Sequence, residues 1–153
     1  MTWSWKDVGK EKNSSMPVVD ASIVIEWISP EADNSSSALR LFKRLAAKES
    51  ELLAPRLLLE EVSNALVSGI RRNRWSGAAA DAAHGLLLQL PIRFGDDRRD
   101  LVRAWELARR YDNHPMYDMI YVALAERSNS ELITADEGLR RRLAHLGWIV
   151  GTE

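Results

Sequence analysis

The sequence predicts an α/β fold in which a parallel sheet of about five strands is flanked by helices. Three observations lead there. Short apolar runs, several ending in an acid or a turn residue, read as buried strands. Longer segments with helical spacing of apolar residues separate them. No internal repeat or low-complexity linker divides the chain. Residues 1–15 stand apart: they are polar, carry Trp3 and Trp5, and lack the apolar core of a signal peptide. They read as an N-terminal extension, disordered or non-native, because Met16 directly precedes the first strand. Residues 16–153 are then expected to form a single domain.

Each element has a local reason. Residues 17–20 form an apolar run closed by Asp20, and residues 23–28 a short helix stopped by Ser29 and Pro30. Residues 33–48 place Ala38, Leu41, Phe42 and Leu45 at helical spacing. Residues 51–54 are a brief strand, and Pro55 opens a helix running to about residue 72. A helix over 76–90 and a strand over 92–94 follow. Residues 97–111 are amphipathic, with Leu101, Val102, Trp105 and Ala108 on one side. This face, like those bearing Trp27 and Trp75, could be core, a dimer contact or a groove for a protein partner, with the core as the default. Pro115 suits the first turn of a helix over 116–127. A strand over 131–134, a helix over 136–146 and a strand over 148–150 complete the chain.

Composition excludes several function classes. The chain has 153 residues, 46% of them hydrophobic, enough for one proper core. No apolar run is long enough to cross a bilayer. The absence of cysteine removes disulfides, thiolate zinc sites and cysteine nucleophiles, and fits a cytoplasmic protein. A net charge of −1 gives no global argument for nucleic acid. Sixteen of the 21 basic residues are nevertheless arginine, in clusters such as Arg71, Arg72, Arg74 and Arg140, Arg141, Arg142. Such clusters favour helix C-terminal dipoles, or could track a phosphate backbone.

Four acids occupy uncommon positions. Asp20 and Asp136 end strands on what a parallel sheet makes one edge, where ligands of such sheets bind. Each could equally cap the helix that follows. At 100° per residue Glu61 falls on the margin of the face made by Leu58, Leu59, Val62, Ala65 and Leu66, while Glu60 points to solvent. Asp118 shares the buried stripe of Tyr121, Val122 and Ala125, which helix-dipole stabilisation alone explains poorly. Clustered carboxylates repel unless protonated or bridged by a cation. All-oxygen ligation suits Mg²⁺, with Mn²⁺ as the substitute, and phosphodiester hydrolysis as the chemistry. Ser22 and Thr134 are short polar residues able to orient a carboxylate or a bound water.

The segments carrying these acids resemble the PIN-domain family, most closely its VapC-like toxin ribonucleases. The resemblance rests on Val18-Val19-Asp20-Ala21-Ser22, on Glu61 to Leu66, on Tyr117 to Glu126, and on Leu132 to Asp136, in that order. It implies a PIN-like three-layer sandwich and a magnesium-dependent endoribonuclease. It further implies neutralisation by a cognate antitoxin protein and, commonly, a homodimer. Asp20, Glu61, Asp118 and Asp136 are assigned to the metal site, with Ser22 and Thr134 supporting. The segment before Met16 departs from the compact family pattern. A catalytically silent PIN-like module that binds RNA or protein is the alternative, though no acid is missing. A receiver-type phosphoacceptor would need an acid pair at position 20 and a lysine on the last strand, and the chain has neither. Nor is there a glycine-rich phosphate loop.

Overall fold

Residues 13–153 are described by the computed structural model of the chain. Strands β1 (Asn13–Val19), β2 (Leu52–Pro55), β3 (Ile92–Gly95), β4 (Ser130–Ile133) and β5 (Ile149–Val150) form one sheet in the order β3-β2-β1-β4-β5. All four pairings are parallel. The helices are α1 (Ala21–Ile28), α2 (Ser37–Ala47), α3 (Leu57–Arg71), α4 (Gly77–Gln89), α5 (Arg98–Arg110), α6 (Met116–Arg127) and α7 (Glu137–Arg142). The expected α/β class and parallel sheet are therefore what the chain adopts. Because parallel strands are covered on both faces, the C-terminal ends of β1 and β4 are apolar: Val18, Val19, Leu132 and Ile133 are all buried. No helix among the described residues is long and apolar enough to cross a membrane.

Strand order fixes the position of the site. The chain builds outward from β1 to β3, then returns to place β4 against the other side of β1. The order reverses between β1 and β4, and such a switch point opens a crevice beyond the strand ends. Val18 pairs with Leu132 and Val19 with Ile133, so Asp20 emerges beside Thr134.

Several boundaries differ from expectation, each for a local reason. Strand β1 begins at Asn13, whose backbone pairs with Ser130, and so includes residues before Met16. The rest of the expected extension, residues 1–12, lies outside the described residues. Helix α2 starts at Ser37 instead of position 33. Asp33 accepts both the backbone N–H (2.9 Å) and the hydroxyl (2.7 Å) of Ser35, and Ser36 caps the helix through Leu39 N–H at 3.2 Å. Local side-chain bonds of this kind compete with helical ones. Pro55 closes β2, paired with Gly95, and α3 begins only at Leu57. The last helix ends at Arg142, followed by a 3-10 turn at Ala144–Leu146 that Gly147 terminates at φ 75°.

Helix α5 is the principal correction. Leu101, Val102 and Trp105 are 54, 56 and 62% exposed, so most of the apolar face meets solvent. The buried side carries Ala104, Leu107 and Ala108 together with Asp100 and Arg103. Those charges are matched across α6. Arg103 donates to both carboxylate oxygens of Glu126 at 2.8 and 3.0 Å, and Arg127 to both of Asp100 at 2.6 and 2.9 Å. Two-pronged pairs of this geometry make burial of charge tolerable. Trp27, by contrast, is core as expected, its indole N–H donating to the carbonyl of Ala38 at 2.7 Å.

Candidate functional site

Asp20 sits at the end of β1 and caps α1, its carboxylate accepting the N–H of Ile23 at 3.2 Å. Capping and a place in the candidate site are thus compatible in one residue. Ser22 donates a short hydrogen bond to this carboxylate, and the nearby Thr134 hydroxyl also favours its charged form. Each hydroxyl is itself held from the β4 side. Ser22 Oγ accepts the N–H of Ala135 at 3.0 Å, and Thr134 Oγ1 accepts the N–H of Asp136 at 2.9 Å. Ser22 therefore laces the crevice together and orients Asp20, while Thr134 holds the start of the segment that follows β4.

Glu61 enters from α3. It is half-buried, whereas Glu60 is exposed and pairs with Arg56 at 3.9 Å, as helical geometry predicts. The Tyr121 hydroxyl donates to Glu61 Oε1 at 2.7 Å and lies near the backbone N–H of Ala21. One tyrosine on α6 thereby holds the carboxylate of α3. Asp118, one turn earlier on α6, has a 36% exposed side chain and a hydrogen bond to His114 at 2.7 Å.

The electrostatics show which acids are neighbours. Burial pushes the Asp20 carboxyl above its ordinary value, its hydrogen bonds pull it partly back, and the charge of Asp118 raises it further. Burial also raises Glu61, opposed by Tyr121 and reinforced by both Asp118 and Asp20. The Tyr121 hydroxyl is driven far up by burial and by its bond to Glu61, so it remains a donor at any ordinary pH. Asp20, Glu61 and Asp118, from three separate elements, thus form one repelling set.

Asp136 stands differently. It is exposed, and its Oδ1 accepts the Leu139 N–H at 3.0 Å as the cap of α7. It neighbours the set through Thr134, whose hydroxyl accepts the Asp136 N–H and lies near the Asp20 carboxylate. Sequence reasoning missed Tyr121 as a partner of Glu61 and His114 as a partner of Asp118. Their spacing from Asp118, three positions after and four before, was the available signal.

The donor set fits a hard divalent cation. Its oxygens are carboxylate, the ligands such ions prefer, and burial together with mutual repulsion raises Asp20 and Glu61 in the absence of a compensating cation. Among the described residues no three acidic or histidine side chains stand close enough to hold an ion together. An ion here would take a few carboxylates and keep several waters, the usual manner of Mg²⁺.

A stability prediction follows from the sign of the Asp20 shift. A carboxyl raised on folding stabilises the protein below its unfolded value of about 4. That contribution is lost as pH rises through the folded value. Asp20→Asn cannot ionise yet can still cap α1. In chelator at pH 7 it is expected to melt above the parent by a few degrees, about the effect of 1 kcal/mol in a chain of this size. The gap should shrink as the pH is lowered toward 4 in thermal melts. An Asp20→Asn protein that melts below the parent at pH 7 would contradict this reading.

Comparison with known proteins agrees with the geometry. Residues 18–143 match the PIN domain. Ribonuclease VapC3 of Mycobacterium tuberculosis is 32% identical over 124 residues, covering 81% of this chain and 85% of that protein. Ribonuclease VapC1 of the same organism is 35% identical over 123 residues, covering 80% and 86%. The domain match extends from β1 through α7, spanning every element that carries a candidate acid, and the chain belongs to the PIN-domain family.

Proposed function

We propose that the chain is a magnesium-dependent endoribonuclease and the toxin of a toxin–antitoxin pair, acting in the cytoplasm. The observation that carries the proposal is the repelling set of Asp20, Glu61 and Asp118 at the switch point of the parallel sheet. The ribonuclease names of its relatives supply the substrate class. When bound, Mg²⁺ or Mn²⁺ would supply Lewis-acid polarisation of a phosphoryl group and compensate its charge.

The chain's own residues do the positioning. Ser22 and the Ile23 N–H hold Asp20, and Tyr121 holds Glu61, so neither carboxylate must reorganise when RNA arrives. Asp118 stands at the more open side, and we assign Asp136 to the rim as the fourth acid. A carboxylate of this set would orient the attacking water or take its proton. The solvent-facing Leu101, Val102 and Trp105 favour a protein partner, either a second copy of the chain or the antitoxin.

The test is cleavage of a structured RNA pool by the purified chain with Mg²⁺, with Mn²⁺, and with chelator. Cleavage is expected with either metal and not with chelator. RNA binding without cleavage under all three conditions would instead establish a silent binding module. Cleavage that persists in chelator would contradict the metal-dependent reading.

A further inference from the structure

His114 belongs to no motif, yet it makes a direct side-chain bond to a candidate metal-site acid. It lies in the link between α5 and α6, where Asp112 and Asn113 both take the left-handed conformation, at φ 56° and 57°. Non-glycine residues adopt it rarely, asparagine and aspartate most readily. Asn113 is further held by Arg109 at 2.7 Å. This turn folds the chain back, and the His114 N–H donates to the carbonyls of Ala108 and Tyr111, both at 3.1 Å. The ring is consequently held against Asp118, with only 12% of the side chain exposed.

The two ring nitrogens have different neighbours. Nε2 lies 2.7 Å from Asp118 Oδ2, and Nδ1 lies 3.2 Å from Arg142 Nη1. Arginine has donors only, so Nδ1 must present its lone pair to Arg142. The ring proton then resides on Nε2 and is donated to Asp118. Arg142 also donates to the Tyr111 carbonyl at 3.1 Å, which anchors the guanidinium beside the ring. The arrangement is a directed chain, Arg142 to His114 to Asp118, linking the end of α7 to the first turn of α6.

We propose that His114, with its tautomer set by Arg142, is a positioning residue for Asp118. By occupying Oδ2 it leaves Oδ1 as the oxygen for an ion, a one-oxygen mode suited to the compact shell of Mg²⁺. Partners that orient a ligating carboxylate typically matter about 10–100-fold in metal affinity. This proposal rests on the metal-dependent reading given above and adds two residues to it.

Mn²⁺ binding to the full chain, measured by electron paramagnetic resonance, tests it without reference to activity. His114→Leu is expected to weaken Mn²⁺ binding by about 10-fold or more. His114→Gln, whose amide N–H can reach the place of Nε2, should recover most of that loss. Arg142→Ala changes an exposed side chain and should fold normally. It should weaken Mn²⁺ binding by a few-fold. Nitrogen-15 correlation spectra should show His114 as the Nε2–H tautomer in the parent and as a mixture in Arg142→Ala. Circular dichroism checks that each variant folds, and Arg142→Ala carries the test if His114→Leu does not. Unchanged Mn²⁺ affinity in a folded His114→Leu, or a glutamine variant no better than leucine, would overturn the positioning role alone. A parent chain that fails to bind Mn²⁺ would overturn the metal reading, and this role with it.

Discussion

Asp118→Asn is expected to reduce the proposed RNA cleavage by on the order of 100-fold or more while the protein still folds. Loss of even an outer partner of a metal ligand typically costs about 10–100-fold, and a ligand itself should cost at least as much. Asparagine has nearly the same shape, and its carbonyl can still accept from His114, so the first turn of α6 is preserved. The substitution also removes a negative charge that raises both Asp20 and Glu61, so the metal-free fold should be no less stable. Comparing single-turnover cleavage with thermal melting separates these effects. Wild-type cleavage by a folded Asp118→Asn would remove Asp118 from the mechanism.

Arg103→Ala is expected to have the largest effect on stability of any substitution outside the core proper. Arg103 and Glu126 are both buried and joined through two hydrogen bonds, linking α5 to α6. Removing one member of a buried pair typically costs about 3–5 kcal/mol, because the other charge stays out of water without that compensation. At about 2–4 °C per kcal/mol for a chain of this size, the melting temperature should fall by roughly 6–20 °C. Replacing both residues by leucine should return much of the loss, since well-packed apolar residues often replace a buried pair at little cost. Urea or thermal unfolding of the two single variants and the double variant provides the measurement. Equal stability of Arg103→Ala and the parent would show that the pair carries no net weight.

The same pair explains where sequence reasoning failed. Helical spacing tells which residues of α5 share a face, and Leu101, Val102 and Trp105 do. It does not tell which face is turned inward. That choice depends on Glu126 and Arg127 of α6, whose complementary charges accept the polar side of α5. Glu61 was legible for the opposite reason. Its neighbours Leu58 and Val62 are wholly buried, so angular position along α3 was enough to prefer it over Glu60.

Strand ends were legible because burial on both faces of a parallel sheet leaves uninterrupted apolar runs, and Asp20 terminates one visibly. Support for the acids was harder to read. Ser22 and Thr134 were noticed as neighbours in sequence, but the lacing of the crevice by Ser22 depends on β1 lying beside β4. Contact between His114 and Asp118 requires the left-handed turn at Asp112 and Asn113, which sequence does not specify uniquely. Tyr121 reads as one more core aromatic until Glu61 is placed against its hydroxyl.

The central claim is that Asp20, Glu61 and Asp118 repel in the metal-free protein and that a divalent cation, held by some of these carboxylates and by water, relieves the repulsion. Titration of Mn²⁺ into the parent chain and into Asp20→Asn and Glu61→Gln, followed by thermal shift, tests it most directly. The account predicts a saturable rise in melting temperature for the parent, strongly diminished in both variants, with Mg²⁺ competing for the same site. An equal rise in parent and variants, or none in the parent, would contradict it.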